Sequence, residues 1–285
     1  MQPSLQDRAP DIIRYGRITQ MRWQWMAAIL LLASGCNAPE TDMTEPRTRI
    51  EWAQLTGRKI VFAHQSVGKN ILHGVEQLAR RDGVELRIQE RRGTPTDTGI
   101  THFNVGNNGD PLGKIRDFAA AMDSGAATDA DVVVLKLCYI DFSADSAPGE
   151  IANAYISTLE QLDKRYPDTL FVPVTAPLTT VQTGPKAWIK QLLGKQPAQY
   201  AENAKRGEFN RLIRKHYGNG GRLFDLAHIE AGTGTGNSQT TVRIAGQEIE
   251  TLDPSLTDDG GHLNTRGQIL VANAFLNLIA TQTAR

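Results

Sequence analysis

Short apolar runs alternate with amphipathic stretches along most of this chain, which predicts a parallel β-sheet covered by helices on both faces. Lys59-Ile60-Val61-Phe62-Ala63 is a β-branched run of strand length, and Val84-Glu85-Leu86-Arg87-Ile88 alternates apolar and polar as an edge strand does. The near-continuous apolar run from Asp131 to Cys138 predicts a central strand, and Thr169 to Val174 and Arg222 to Leu226 complete a set of five. Helical spacing places Ile71, Leu72, Val75, Leu78 and Ala79 on one face of a helix over 67–81. Further helices are predicted from Pro111 through Met122, with proline at a tolerated first-turn position, and over about 148–164, 200–217 and 265–280. Residues 92–110 read as a long polar loop, 178–198 as an insertion near a strand's carboxyl end, and 228–258 as a Gly/Thr-rich excursion with a small hairpin around 241–249. No internal repeat or splitting linker interrupts the pattern, so 51–285 is expected to be one domain.

The first forty residues break the pattern. Met21-Arg22-Trp23-Gln24-Trp25 is a short charged start, followed by an apolar run from Met26 to Leu32 and then Ala33-Ser34-Gly35-Cys36. A charged segment, a short apolar run and small residues make a secretory signal, and the run falls far below the ~20 residues that span a bilayer. Cys36 after Ser-Gly resembles a lipobox, in which Cys36 would carry lipid and become the mature N-terminus; Ala33 stands where leucine is more usual. Residues 1–20 then read as an overextended start with Met21 the initiator, and 37–50, rich in Pro, Thr, Asp and Glu, as a flexible tether. The expectation is an exported protein anchored to a cell-envelope membrane, on its periplasmic or extracellular face, and meeting that membrane through its N-terminal lipid only. Lipid on Cys36 would leave Cys138 without a disulfide partner, a small buried hydrophobe in a strand.

Composition adds mainly exclusions. Lysine and arginine balance aspartate and glutamate at a formal net charge of zero, and nothing predicts a nucleic-acid footprint or a strongly basic membrane patch, since both need clustered cations. The basic cluster of Arg80, Arg81, Arg87, Arg91 and Arg92 is diluted by Asp82, Glu85 and Glu90 and reads as solvated surface.

In open α/β sheets, active groups collect in loops beyond the carboxyl ends of the strands. Ser66 follows the first strand in His64-Gln65-Ser66-Val67-Gly68 and begins the first helix, whose N-terminus favours a developing negative charge; a helix cap alone would also account for a serine there. Near the other end stands Asp258-Asp259-Gly260-Gly261-His262-Leu263-Asn264. A serine hydroxyl becomes a nucleophile when an imidazole removes its proton, and a carboxylate must hold that imidazole in the right tautomer. An aspartate three positions before the histidine, across two glycines, can turn back onto the ring.

The combination resembles the SGNH (GDSL-type) hydrolase family over about residues 58–283. The resemblance implies a flavodoxin-like three-layer α/β/α sandwich with a mostly parallel five-stranded sheet, Ser66 as nucleophile, His262 as general base and Asp259 as its orienter, with Asp258 in reserve. The nucleophile elbow of α/β-hydrolases, Gly-x-Ser-x-Gly, is not matched, since His64 holds the first glycine position. The family's Gly-Asp-Ser is His64-Gln65-Ser66 here, and its Gly-x-Asn-Asp is Cys138-Tyr139-Ile140-Asp141, with Ile140 where an oxyanion-binding asparagine belongs. Losing such a donor costs ~10²–10³ in rate, so a replacement is expected from Asn107 or Asn108, with the backbone N–H groups of Ser66 and Gly109. Asp141 is expected to be structural, and His64 a hydrogen-bonded support behind the nucleophile. No spacing signature supports a metal, and no cofactor is implied. Trp188 and its surroundings read as a lid or acceptor-site wall, or as surface packing. The implied activity is an esterase acting on acyl groups of envelope or extracellular glycans or on small esters; the alternatives are an O-acyltransferase or a binding lipoprotein with a degenerate site.

Overall fold

The computed structural model describes residues 49–232, 239–244 and 246–282, so the expectations for the leader, for lipid on Cys36 and for the tether up to residue 48 lie outside it. Ile50, at the end of the expected tether, is already buried in the core. A short helix α1 (Trp52–Thr56) leads into β1 (Lys59–His64), and α2 (Ser66–Arg81) follows directly. The chain continues through β2 (Ile88–Glu90), β3 (Gly99–Asn104), α3 (Pro111–Ala121), β4 (Val132–Leu135), α4 (Pro148–Arg165) and β5 (Leu170–Pro173). The second half comprises α5 (Pro185–Leu192), α6 (Tyr200–Tyr217), α7 (Leu226–Ala231), the hairpin β6 (Thr241–Ile244) and β7 (Gln247–Glu250), and α8 (Thr265–Thr281).

The five-stranded sheet runs β2-β3-β1-β4-β5, and every neighbouring pair is parallel. Successive side chains of a strand point to opposite faces. Ile60 and Phe62 of β1 and Val132 and Val134 of β4 therefore pack with α2, α7 and α8, while Val61, Ala63, Val133 and Leu135 pack with α3, α4 and α6. The result is the three-layer α/β/α sandwich expected. Setting β2 aside, β3-β1-β4-β5 follows the doubly wound order 2-1-3-4, whose switch point lies between β1 and β4; ligands of such sheets bind in that crevice.

The sheet has the expected number of strands but not the expected set. Residues 92–110 contain β3, which lies inside the sheet between β1 and β2, so that stretch is not simply a loop. Its apolar Ile100 and Phe103 are separated by Thr101 and His102, which hides a buried strand. The alternating 84–88 run stays outside the sheet until Ile88, because pairing with β3 begins there. The stretch 222–226 contributes a single parallel bridge, Phe224 to Val174. It ends early because Asp225 accepts from the His228 N–H and starts α7. The central strand stops at Leu135, and residues 139–141 form a 3₁₀ turn.

Helices α2 and α8 cross at Gly74, where a Cβ would lie 2.2 Å from the Gln268 carbonyl oxygen; only glycine admits this approach. That contact sets the front of α2 against the residues preceding α8.

Candidate active site

Gln65 is the extended cap residue of α2 and Ser66 is its first helical residue; no side chain caps the helix, so the serine hydroxyl is not used as a cap. Gln65, which stands where the family pattern has aspartate, donates its side-chain amide to the carbonyls of Val105 and Gly106, both at 2.9 Å. Those bonds bring the loop after β3 alongside the Ser66 turn. Behind the turn, the buried His64 ring lies so close to Gly68 that a Cβ there would approach it to 2.3 Å. His64 Nδ1 is 2.8 Å from the Gln65 carbonyl, which can only accept, so Nδ1 carries the proton. Its Nε2 then accepts from His102 Nδ1 at 3.1 Å. Burial pushes His64 down from an ordinary 6.5 to about 3 and lowers His102 as well, so His64 is a neutral support of the turn.

His262 Nδ1 donates to Asp259 Oδ2 at 2.7 Å, and the backbone N–H groups of Gly261 and His262 donate to Oδ1 at 2.9 and 2.7 Å. The bond from the imidazole, followed by those from the backbone, holds the Asp259 carboxyl far below the usual carboxylate range. An ionised Asp259 on Nδ1 leaves Nε2 with its lone pair. Asp258 turns away and meets the Asn264 side chain at 3.4 Å, so Asp259 is the carboxylate on the ring.

Ser66, Asn70 and Gly74 lie on successive turns along one side of α2. Asn70 Oδ1 accepts the Leu263 N–H at 3.2 Å, and Gln77 reaches Gln268 at 3.3 Å, so this side of the helix runs along the residues that follow His262. The residues that follow the Asp259–His262 turn thus lie along the Ser66 side of α2, although the two blocks are far apart in sequence. Among the described residues there is no direct Ser66–His262 hydrogen bond. The Tyr139 hydroxyl lies 3.4 Å from His262 Nε2, its ring edge-on to the imidazole. Burial and the nearby Asp259 raise the phenol's pKa and keep it protonated.

Asp141 is buried and fully engaged. Its carboxylate forms a fully buried ion pair with Lys114 at 2.7 and 2.9 Å and accepts the Cys138 N–H at 2.7 Å. It also accepts the Gly109 N–H at 3.0 Å, which corrects the expectation that Gly109 offers a free oxyanion donor. The side-chain oxygen Oδ1 of Asn108 accepts from Lys114 Nζ at 2.9 Å, which leaves its side-chain nitrogen as the donor. Asn107 is exposed and lines a polar depression of about 400 Å³ with Arg92, Asn104 and Asp117. Asn70, Tyr139 and Lys114 escaped the sequence reading. Asn70 carries a usable signal, one turn after Ser66; Lys114 carries none, because nothing local marks a helix lysine as buried. Arg206 is a further one, buried on α6 with its Nε 3.1 Å from the Tyr139 carbonyl.

A three-layer sandwich with a serine at the head of the helix after its first strand and an Asp-x-x-His turn before its last helix is the architecture of GDSL-type acylhydrolases. The model of the GDSL-like Lipase/Acylhydrolase family matches residues 73–275, and the chain belongs to that family; the match begins after Ser66. No curated protein matches. Among solved structures, one described as a lipolytic protein of the G-D-S-L family from Desulfitobacterium hafniense DCB-2 is 8% identical, with TM-score 0.47, over 78% of this chain and 99% of that one. The periplasmic domain of a Salmonella ser. Paratyphi A lipopolysaccharide acetyltransferase is 15% identical, with TM-score 0.43, over 79% and 84%. The psychrotrophic esterase EstA of Pseudoalteromonas sp. is 11% identical, with TM-score 0.42, over 78% and 96%.

Proposed function

We propose that this chain is a serine ester hydrolase working through an acyl-enzyme, with Ser66, His262 and Asp259 as its triad. The observation that carries the reading is the 2.7 Å Asp259–His262 bond in a turn whose next residue is held by α2 one helical turn beyond Ser66. In the reaction, Ser66 Oγ attacks the ester carbonyl carbon while its proton passes to His262 Nε2. The resulting imidazolium, stabilised by Asp259, protonates the departing alkoxide as the C–O bond breaks. A water then attacks the acyl-serine carbonyl, gives its proton to Nε2, and Ser66 takes that proton back as the acid leaves. The Ser66 N–H at the helix head and the Asn108 amide are the proposed oxyanion donors, with Asn107 the other candidate. Tyr139 must withdraw from Nε2 when Ser66 engages it. The Met21–Cys36 segment supports export and a lipid anchor, and with them acyl groups of envelope glycans or small esters as substrates.

Ser66→Ala should lower hydrolysis of an aryl acetate by at least about a thousandfold, and a fluorophosphonate probe should label the wild-type chain at Ser66. Undiminished activity in the variant overturns the assignment. The phenol on Nε2 favours one rival, a binding protein with a degenerate site, which predicts no labelling at all. Formation of acetylated glycan when donor and acceptor are both supplied would identify an acyltransferase instead.

A further inference from the structure

The insertion between β5 and α6 carries a helix turned the wrong way round for a soluble fold. An amphipathic surface helix normally sets its apolar stripe on the core. In α5 the small Ala187 is the buried residue, while Trp188, Ile189 and Leu192 are 62%, 51% and 66% exposed and Leu193, just past the helix, is 68% exposed. These four residues share one side, opposite Ala187. The lysines at 186, 190 and 195 flank them, and between Asp168 and Glu202 the chain has no acidic residue. In a protein of zero net charge this is a local surplus of positive charge beside an apolar ridge.

We infer that α5 and the residues after it form a docking surface for an anionic lipid bilayer, with Trp188, Ile189, Leu192 and Leu193 entering the headgroup boundary and the lysines meeting acidic headgroups. The chemistry fits: an apolar face with tryptophan and flanking lysines is what interfacial helices use, and each lysine near an anionic membrane surface strengthens binding about fivefold. A second copy of this chain would bring the same lysines of one copy toward those of the other. The insertion is also joined to the turn bearing His262, since the Thr180 N–H donates to the Gly260 carbonyl at 2.9 Å. This inference stands apart from the esterase reading, because its test reads binding and not turnover.

Amide hydrogen exchange across 185–195 in the full chain reports on the patch itself, whatever other segments touch lipid. Phosphatidylglycerol vesicles should slow exchange there at physiological salt, and phosphatidylcholine vesicles should not. Changing lysines 186, 190 and 195 together to glutamine should raise the lipid needed by roughly a hundredfold. The pair W188A/L192A should raise it on the order of tenfold or more. Equal slowing on both lipids, or none at saturating phosphatidylglycerol, overturns the inference. So does slowing that grows with protein concentration in the absence of lipid, which assigns the ridge to self-association.

Discussion

At the residue scale, two groups decide what the site can do. The carboxylate of Asp259 holds Nδ1 of His262 protonated, so Nε2 keeps the lone pair that the proposed reaction requires of its base. Asp259→Asn would favour the wrong tautomer and should lower kcat by up to about 10⁴ with little change in fold; a variant within threefold of wild type would show that the pair is not catalytic. His64 has a different consequence, one of stability. Its imidazole is held neutral by burial, with a pKa near 3 against 6.5 in the unfolded chain. The unfolded state therefore binds the proton first as pH falls. The stability conferred by neutral His64 is whole above about 6.5 and is lost between 6.5 and 3 at up to about 1.4 kcal/mol per pH unit. Urea titrations from pH 7 to pH 4 should show this slope, and His64→Asn should flatten it. An unchanged slope in the variant would place the acid sensitivity elsewhere.

At the scale of elements, the site is assembled by two connections. One is the α2–α8 crossing at Gly74, which sets Asn70 on the Leu263 N–H. The other is the buried Lys114–Asp141 pair, which joins the start of α3 to the turns at Cys138 and Gly109. Removing one partner leaves the other charge buried and uncompensated, so Asp141→Asn should destabilise the domain by roughly 3–5 kcal/mol in urea unfolding. Adding Lys114→Met to that variant should recover part of the loss; a single variant within 1 kcal/mol of wild type would contradict a structural role for the pair. The helices were legible because their apolar positions recur every three or four residues, as from Ile71 to Ala79. Strand β3 was not, because Thr101 and His102 are polar residues inside a sheet, and their acceptability depends on neighbours far along the chain.

For the whole molecule, the doubly wound order places the carboxyl ends of β1 and β4 side by side, with Ser66 following β1, Tyr139 following β4, and His262 against Tyr139. The sequence by itself determined the layered α/β class and the two blocks around Ser66 and His262. Each of these is written in local periodicity or in short motifs whose members are neighbours in the chain. The tertiary structure alone decided which strands flank β1, that Asp259 and not Asp258 holds the imidazole, that the Gly109 N–H is taken by Asp141, and that α5 turns its apolar side outward. Those outcomes rest on hydrogen bonds and burial between residues far apart in sequence, or on the choice between adjacent like residues. No local pattern of polarity records which partner a side chain meets once the layers close.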